Sequence, residues 1–332
     1  MCGSGTVFPD GGDSILHGAD VSIVETGSKG GKDVLSDTDL YAAASLISFF
    51  LIRFMPGDPA ATYLSSRGIP VTPESLHAVA EELKLYDPVY MQYIYWLKNV
   101  IRLDLGYSYL TKAPVAVELF RAFKYTLLLA LSSMSMGIIF CLLAGCYAGT
   151  HPDSRSDYSI RFCVLTLNSV PSFIIGFLLI SVFSVYLHIF PVQGASSFLH
   201  LFLPSLTMAL GYVAVYTKLL RNSIIDVSQK PFVVFAYTRG LKKWEIFWKH
   251  IFMNAISPVV TMAGLEFGGV IAGSLVIENV FAWPGLGRLV IIAIHGRDYP
   301  VIQGYILLTM TGFIICNFIA ETVCMRVRRR WG

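Results

Sequence analysis

Charge is scarce in this chain. Only 14% of its 332 residues are Asp, Glu, Lys or Arg, against roughly a quarter in soluble domains, and 55% are hydrophobic. That deficit excludes an ordinary soluble domain and points to a polytopic membrane protein. Cysteine pairs are missing too. The six cysteines, Cys2, Cys141, Cys146, Cys163, Cys316 and Cys324, form no CxxC, which excludes a zinc site or a disulfide framework of the usual spacing. Most lie in apolar runs and read as small buried residues. Neither HExxH nor paired intramembrane acids occur, so a membrane-embedded enzyme would lack its catalytic groups. A phosphate-binding loop is absent as well. The stretch GSKGGKD (27–33) follows Gly31-Lys32 with Asp33 and has Thr26 where the pattern needs glycine. The chain is therefore expected not to hydrolyse ATP and to carry no cofactor. His151, His188, His200 and His295 form no i, i+4 pair, so no stable metal site is expected.

What is present are apolar runs. A spanning helix needs about 20 such residues. Runs at 40–55, 125–149, 162–190, 201–220, 258–280 and 301–325 give an all-α protein of about six transmembrane helices. The first is short, and the third carries Pro171, which can kink a helix. Residues 1–39 are polar, with no basic stretch leading into an apolar core. They are expected to be a disordered tail, standing either as a true extension or in place of the start of the first span. Residues 56–124 mix acids and bases and read as a folded external loop with one or two helices, for example over 73–85, completing a unit with the first span (40–124). The core transmembrane domain is set at 125–325, with a basic tail at 326–332.

Orientation follows the Lys and Arg of short loops. One side carries Arg155 and Arg161, seven bases from Lys218 to Lys249, and Arg326, Arg328, Arg329 and Arg330; the loop 191–200 opposite carries none. The C-terminus is thus expected in the cytoplasm.

On that side lies KPFVVFAYTRGLKKWEIFWKHIFMNAISP (230–258), too charged to span and too apolar to be a solvated loop. Pro231 suits a first helical turn, so a helix is expected over 231–238. Gly240 breaks it, and a second helix starts at Leu241 with Trp244, Phe247, Trp248 and Ile251 in one apolar stripe. Such a pair could lie in the lipid interface, pack on the protein itself, or dock in another protein's groove.

Ala236-x-x-x-Gly240, His250, Asn254 and Pro258 resemble the "EAA" loop of permease subunits of bacterial ATP-binding-cassette importers. IRFMPGDPA (52–60), LDLGYS (103–108) and IENVFAWPGLGRLVIIAIHGRDYPVIQG (277–304) resemble the peptide/nickel branch of that family. VTPESL (71–76), IENVFAWPG (277–285) and the short loop PVQGASSFLHLFLP (191–204) are most similar to nickel-type permeases. Where the family's loop often has a small residue and Lys before the glycine, this chain has Thr238 and Arg239.

The resemblance implies an inner-membrane subunit forming half of a translocation path for nickel or a metal chelate. A dipeptide or oligopeptide permease is the alternative, and a secondary transporter a remote one. It implies as partners a second permease subunit, two cytoplasmic ATPases that bind the ATP, an extracytoplasmic substrate-binding protein and membrane lipids, and no nucleic acid. Coupling to the ATPase would fall to helices at 231–253, through Ala236, Gly240, Leu241, His250, Asn254 and Pro258. Glu278, Trp283 and Asp298 would serve an external gate or a binding-protein contact; the plainer readings are an interfacial anchor for Trp283 and a solvated Asp298.

Glu266 is the one acid deep in an expected span, where charge is costly and usually faces a cavity or a partner. It reads either as a path residue drawing a cation or a peptide amine, together with Met262 and Gly269, or as an internally paired packing residue. Gly264, Gly268, Gly269 and Gly273 would let another helix approach.

Overall fold

A computed structural model describes residues 45–46, 49–50 and 58–331. The expected tail at 1–39 and most of the expected first span lie outside the described residues. Every regular element among the described residues is a helix; the only β feature among them is an isolated bridge between Tyr107 and Pro114.

The stretch expected as an external loop folds as three helices, α1 (Pro59–Ser66), α2 (Pro73–Glu82) and α3 (Val89–Ile101). The starts of α1 and α2 are written in the sequence. Asp58 accepts from the Ala60 amide at 2.9 Å, and Thr72 and Ser75 form a reciprocal capping box ahead of Pro73. α2 stops at Glu82 rather than 85, as Lys84 turns to a φ of 54°. Ala60, Leu64, Val79 and Ala80 make a small core for this unit.

α4 (Val115–Thr150) is 36 residues long, about 54 Å, and outreaches a ~30 Å bilayer core. It starts ten residues before the expected apolar run at 125. Glu118, Arg121 and Lys124 interrupt the run but not the helix, since Val115, Leu119 and Ala122 keep one buried face. α4 packs along α7 (Phe198–Ser228), and at Gly145 an added Cβ would stand 3.0 Å from Leu220, so the glycine sets the approach.

Between them the expected third span is broken. α5 (Arg155–Ser169) and α6 (Ser172–Leu179, continuing as a π-helical turn Ile180–Tyr186) meet at 101° around Pro171. Proline removes a backbone donor and disfavours helix in the residue before it, and Val170 is extended. α8 (Pro231–Thr238) follows α7. α9 (Lys243–Ile246) runs through a π-helical segment, Phe247–Phe252, and Met253–Ala255 into α10 (Ser257–Gly273). Then come α11 (Leu275–Val280), α12 (Leu286–His295) and α13 (Tyr299–Trp331). Among the described residues, four helices are long and apolar enough to cross a membrane, five if the bent pair counts as one. The expected six exceed this because the first falls outside the described residues.

A main core runs from Phe281 and Trp283 past Leu129 and Tyr216 to Val233 and Ala236, and a second lies at the start of α4. Val115 and Leu119 of α4 pack with Leu286, Ala293 and Val301. About 45 Å further along α4, Gly145 and Gly149 meet Leu220 and Ile224, and α8 begins just beyond. The segment 231–255 and the α11–α13 loops thus sit toward opposite ends of α4.

Candidate functional site

The segment 231–255 has two faces. α8 spans the expected residues, begins on Pro231, and ends before Gly240, whose φ of 76° favours glycine. Val233 and Ala236 point inward and join the main core, as do Ile246, Ile251 and Ala255. Phe232, Val234, Phe235 and Tyr237 point outward, with Trp244 74% exposed and Trp248 39% exposed. The expected single stripe is thereby corrected. Ile251 and Trp244 face opposite ways, and the outer ridge is closed by an edge-to-face pair of Trp244 and Trp248 at 5.3 Å. The second helix also starts at Lys243, not Leu241, and is continuous with the span rather than separate from it. Leu241 packs on the core from the turn. Asn254 donates to the His250 carbonyl at 2.6 Å, and Pro258 occupies the first turn of α10, where no amide is missed. Lys249 and Glu245 pair at 2.6 Å on the exposed side.

At mid-chain, Glu266 accepts a hydrogen bond from Tyr216 at 2.6 Å, and Tyr212 stacks beside Tyr216 at 6.1 Å. Glu266 is half-buried, so the acid is both paired and within reach of solvent. Met262, one turn before it, packs against the main core and lines a groove toward α7. Gly269 faces open space; it is Gly268 that meets Phe313 of α13.

At the other end the three expected gate residues are buried. Glu278 is 0%, Asp298 1% and Trp283 2% exposed. A direct contact between these side chains and a partner is corrected by that burial, as are a solvated Asp298 and an interfacial Trp283. Each is instead a tie. Glu278 accepts from Thr126 and Ser274 hydroxyls at 2.7 Å each, and from the Gly287 and Arg288 amides at 2.7 and 3.1 Å. Thr126 in turn accepts from the Leu286 amide at 2.8 Å. The first amides of α12, which helix geometry leaves without partners, are thus met by a carboxylate from α11 and a hydroxyl from α4, and the helix dipole favours the charge. Trp283 donates to the Tyr125 carbonyl at 3.0 Å and sets its ring edge-to-face on Tyr125. Asp298 accepts from Ser108 at 2.5 Å and the Leu110 amide at 3.2 Å. Beside it Tyr109 is wedged between Tyr63 and Tyr299, and burial, reinforced by the Asp298 charge, pushes its phenol up to about 12.

Ser108, Thr126, Tyr216 and Ser274 were not singled out by sequence. LDLGYS marked Ser108 only as part of a motif, and hydroxyls within helices carry no signal until their acceptor is placed. No cluster of three or more metal-ligating side chains occurs among the described residues.

Comparison with known proteins gives the same outline. Residues 141–331 match the family "Binding-protein-dependent transport system inner membrane component", and residues 34–130 match its N-terminal companion, "Binding-prot-dependent transport system membrane comp, N-term". The glutathione transport system permease protein GsiC of Escherichia coli (strain K12) is 37% identical over 279 residues, covering 84% of this chain and 90% of that protein. GsiC of Shigella dysenteriae serotype 1 aligns equally well, at 37% over the same shares. Among solved structures, the MetNI methionine ABC transporter superposes with a TM-score of 0.54 at 17% identity, covering 63% of this chain and 96% of that one, which speaks to the fold alone. The chain belongs to the binding-protein-dependent transport system inner membrane components, as a permease subunit of the peptide/nickel family of ABC importers.

Proposed function

We propose that this permease subunit forms half of a translocation path for small peptides. The preference for nickel read from VTPESL and the short 191–204 loop gives way, because the relatives at 37% identity over 84% of the chain are named for glutathione, a tripeptide. That identity is the observation carrying the cargo assignment. In cells lacking other peptide importers, uptake of labelled tripeptide should depend on this chain and uptake of nickel should not. Chain-dependent nickel uptake with no peptide uptake would overturn the assignment.

The chain would work with a second permease subunit, two ATPases and a substrate-binding protein, with the 231–255 segment in the cytoplasm. The ridge of Phe232, Phe235, Tyr237, Trp244 and Trp248 supports an ATPase docking role, being a large apolar surface left uncovered at the chain's basic end. Its inner face is already packed on α7 and α10, so ATPase movement would be passed to the spans as a rigid-body push. Phe235→Glu and Trp244→Glu are expected to lose co-purification of the ATPase and uptake together, with normal membrane insertion. Retained co-purification in both would refute the docking role.

Glu266 and Gly269 on α10 are proposed to face the path, with Glu266 drawing the peptide amine. A half-exposed carboxylate held in orientation by Tyr216 is suited to meet a cation. The buried ties at Glu278 and Asp298 would hold the α11–α13 loops as an external gate.

A further inference from the structure

Between α5 and α7 runs a groove of about 810 Å³, floored by Met262 of α10 and closed at one end by Ala148 of α4. Its long walls are apolar: Ile160, Val164 and Leu165 from α5, Val215 and Leu219 from α7. Arg161, Lys218, Arg221 and Asn222 bring polar heads to the same groove.

The charges there do not cancel. Arg221 is taken up by Asp157, which is fully buried and bonded to it through two contacts of 2.7 and 2.6 Å. Arg161 and Lys218 are exposed and form no ion pair among the described residues, while Asp153 is the one acid lining the groove. Two unpaired cations against one carboxylate leave a single positive charge, matching one phosphodiester. A further observation points to a ligand. Thr217 lines the groove, is 3% exposed, and its hydroxyl has no hydrogen-bond partner among the described residues. Such a hydroxyl is costly to bury unmet, and an oxygen-bearing ligand in the groove would offer it a partner. Its apolar wall is open to the outside, Leu165 of α5 being 62% exposed.

We propose that this groove binds an anionic phospholipid, its phosphate held by Arg161 and Lys218 and one acyl chain laid along Ile160, Val164, Leu165, Val215 and Leu219. Basic pockets between membrane helices hold lipid headgroups by this chemistry. The proposal does not depend on which cargo is carried.

The test uses the full chain, purified in detergent with the subunits that accompany it, and native mass spectrometry against added phosphatidylglycerol, phosphatidylcholine or inorganic phosphate. Phosphatidylglycerol should be retained well above phosphatidylcholine, and inorganic phosphate should not displace it. Arg161→Gln with Lys218→Gln should lower retention by about fivefold for each cation removed, while Arg155→Gln, an exposed cation outside the groove, should leave it unchanged. Leu165→Trp fills the apolar end without altering charge and should lower retention too, which keeps the test open if the double variant fails to assemble. Equal retention by wild type and both variants would overturn the proposal. So would equal binding of phosphatidylcholine, full displacement by inorganic phosphate, or loss of the second permease on Leu165→Trp with lipid retention intact.

Discussion

Asp298 and Ser108, 190 residues apart, are joined by a buried 2.5 Å hydrogen bond. Through it the start of α13 holds the loop before α4, and the Leu110 amide adds a second tie at 3.2 Å. Asp298→Ala removes the acceptor from a hydroxyl and an amide at once. Bonds to a charged group contribute about 2 kcal/mol, so a loss of that order in stability is expected. Proteolysis within 103–114 should quicken in parallel. Asp298→Asn keeps an oxygen for both donors and should restore most of the protection; equal damage from both would mean that the charge, not the acceptor, holds the loop.

Glu278 carries more. Four donors converge on it from α4, α12 and the turn between α10 and α11, and no other group meets the Gly287 and Arg288 amides among the described contacts. Glu278→Ala would remove an acceptor from all four donors, two of them first-turn amides of α12, at about 3 kcal/mol or more in total. Glu278→Gln should cost less, because Thr126 and Ser274 are hydroxyls and can turn to accept from the amide nitrogen while its oxygen keeps the two backbone donors. Thermal unfolding midpoints should therefore rank wild type, then Gln, then Ala. A midpoint for Gln at or below that of Ala would contradict the assignment of the two oxygens.

These ties mark where sequence reading stops. Periodicity and capping residues foretold α8 to the residue, the start of α2, and the break at Pro171, because each is decided by neighbours within four positions. Hydropathy missed the first ten residues of α4, since Glu118, Arg121 and Lys124 interrupt the run while leaving the buried face whole. The docking segment was legible as an amphipathic pair, but the π-helical turn Phe247–Phe252 rotates Trp244 away from Ile251, and nothing local announces it. Glu278, Trp283 and Asp298 were noticed for their chemistry and placed on the wrong side of the surface. Their partners Thr126, Tyr125 and Ser108 lie more than 150 residues away, so burial was invisible from spacing.

Ala236 shows why the site of a docking test matters. It is 4% exposed and belongs to the chain's own core, so Ala236→Arg would disturb packing before it reached a partner. Gly240 gives a cleaner probe. Nothing lies within 4 Å of a Cβ built there, and only its φ of 76° resists substitution. Asn tolerates that conformation, whereas a β-branched residue does not, and the difference is about 1–2 kcal/mol. Gly240→Asn should keep most ATPase-driven uptake, and Gly240→Val should lose much of it with the ATPase still bound weakly. Equal uptake by the two variants would show that the turn's handedness is not used in coupling.

Tyr216 and Glu266 offer the sharpest test of the path. The 2.6 Å bond runs from the phenol to the carboxylate, so Glu266→Gln preserves the acceptor and removes only the charge. If the charge draws a peptide amine, uptake of a tripeptide with a free N-terminus should fall about tenfold, the equivalent of ~1.4 kcal/mol. The N-acetylated peptide, which has no cation to attract, should be carried equally by both proteins. Tyr216→Phe does the converse, keeping the charge while freeing its orientation, and should affect the free-amine peptide less than Glu266→Gln does. A Gln variant that slows both peptides alike would assign Glu266 to packing, its bond to Tyr216 being a structural tie between α7 and α10.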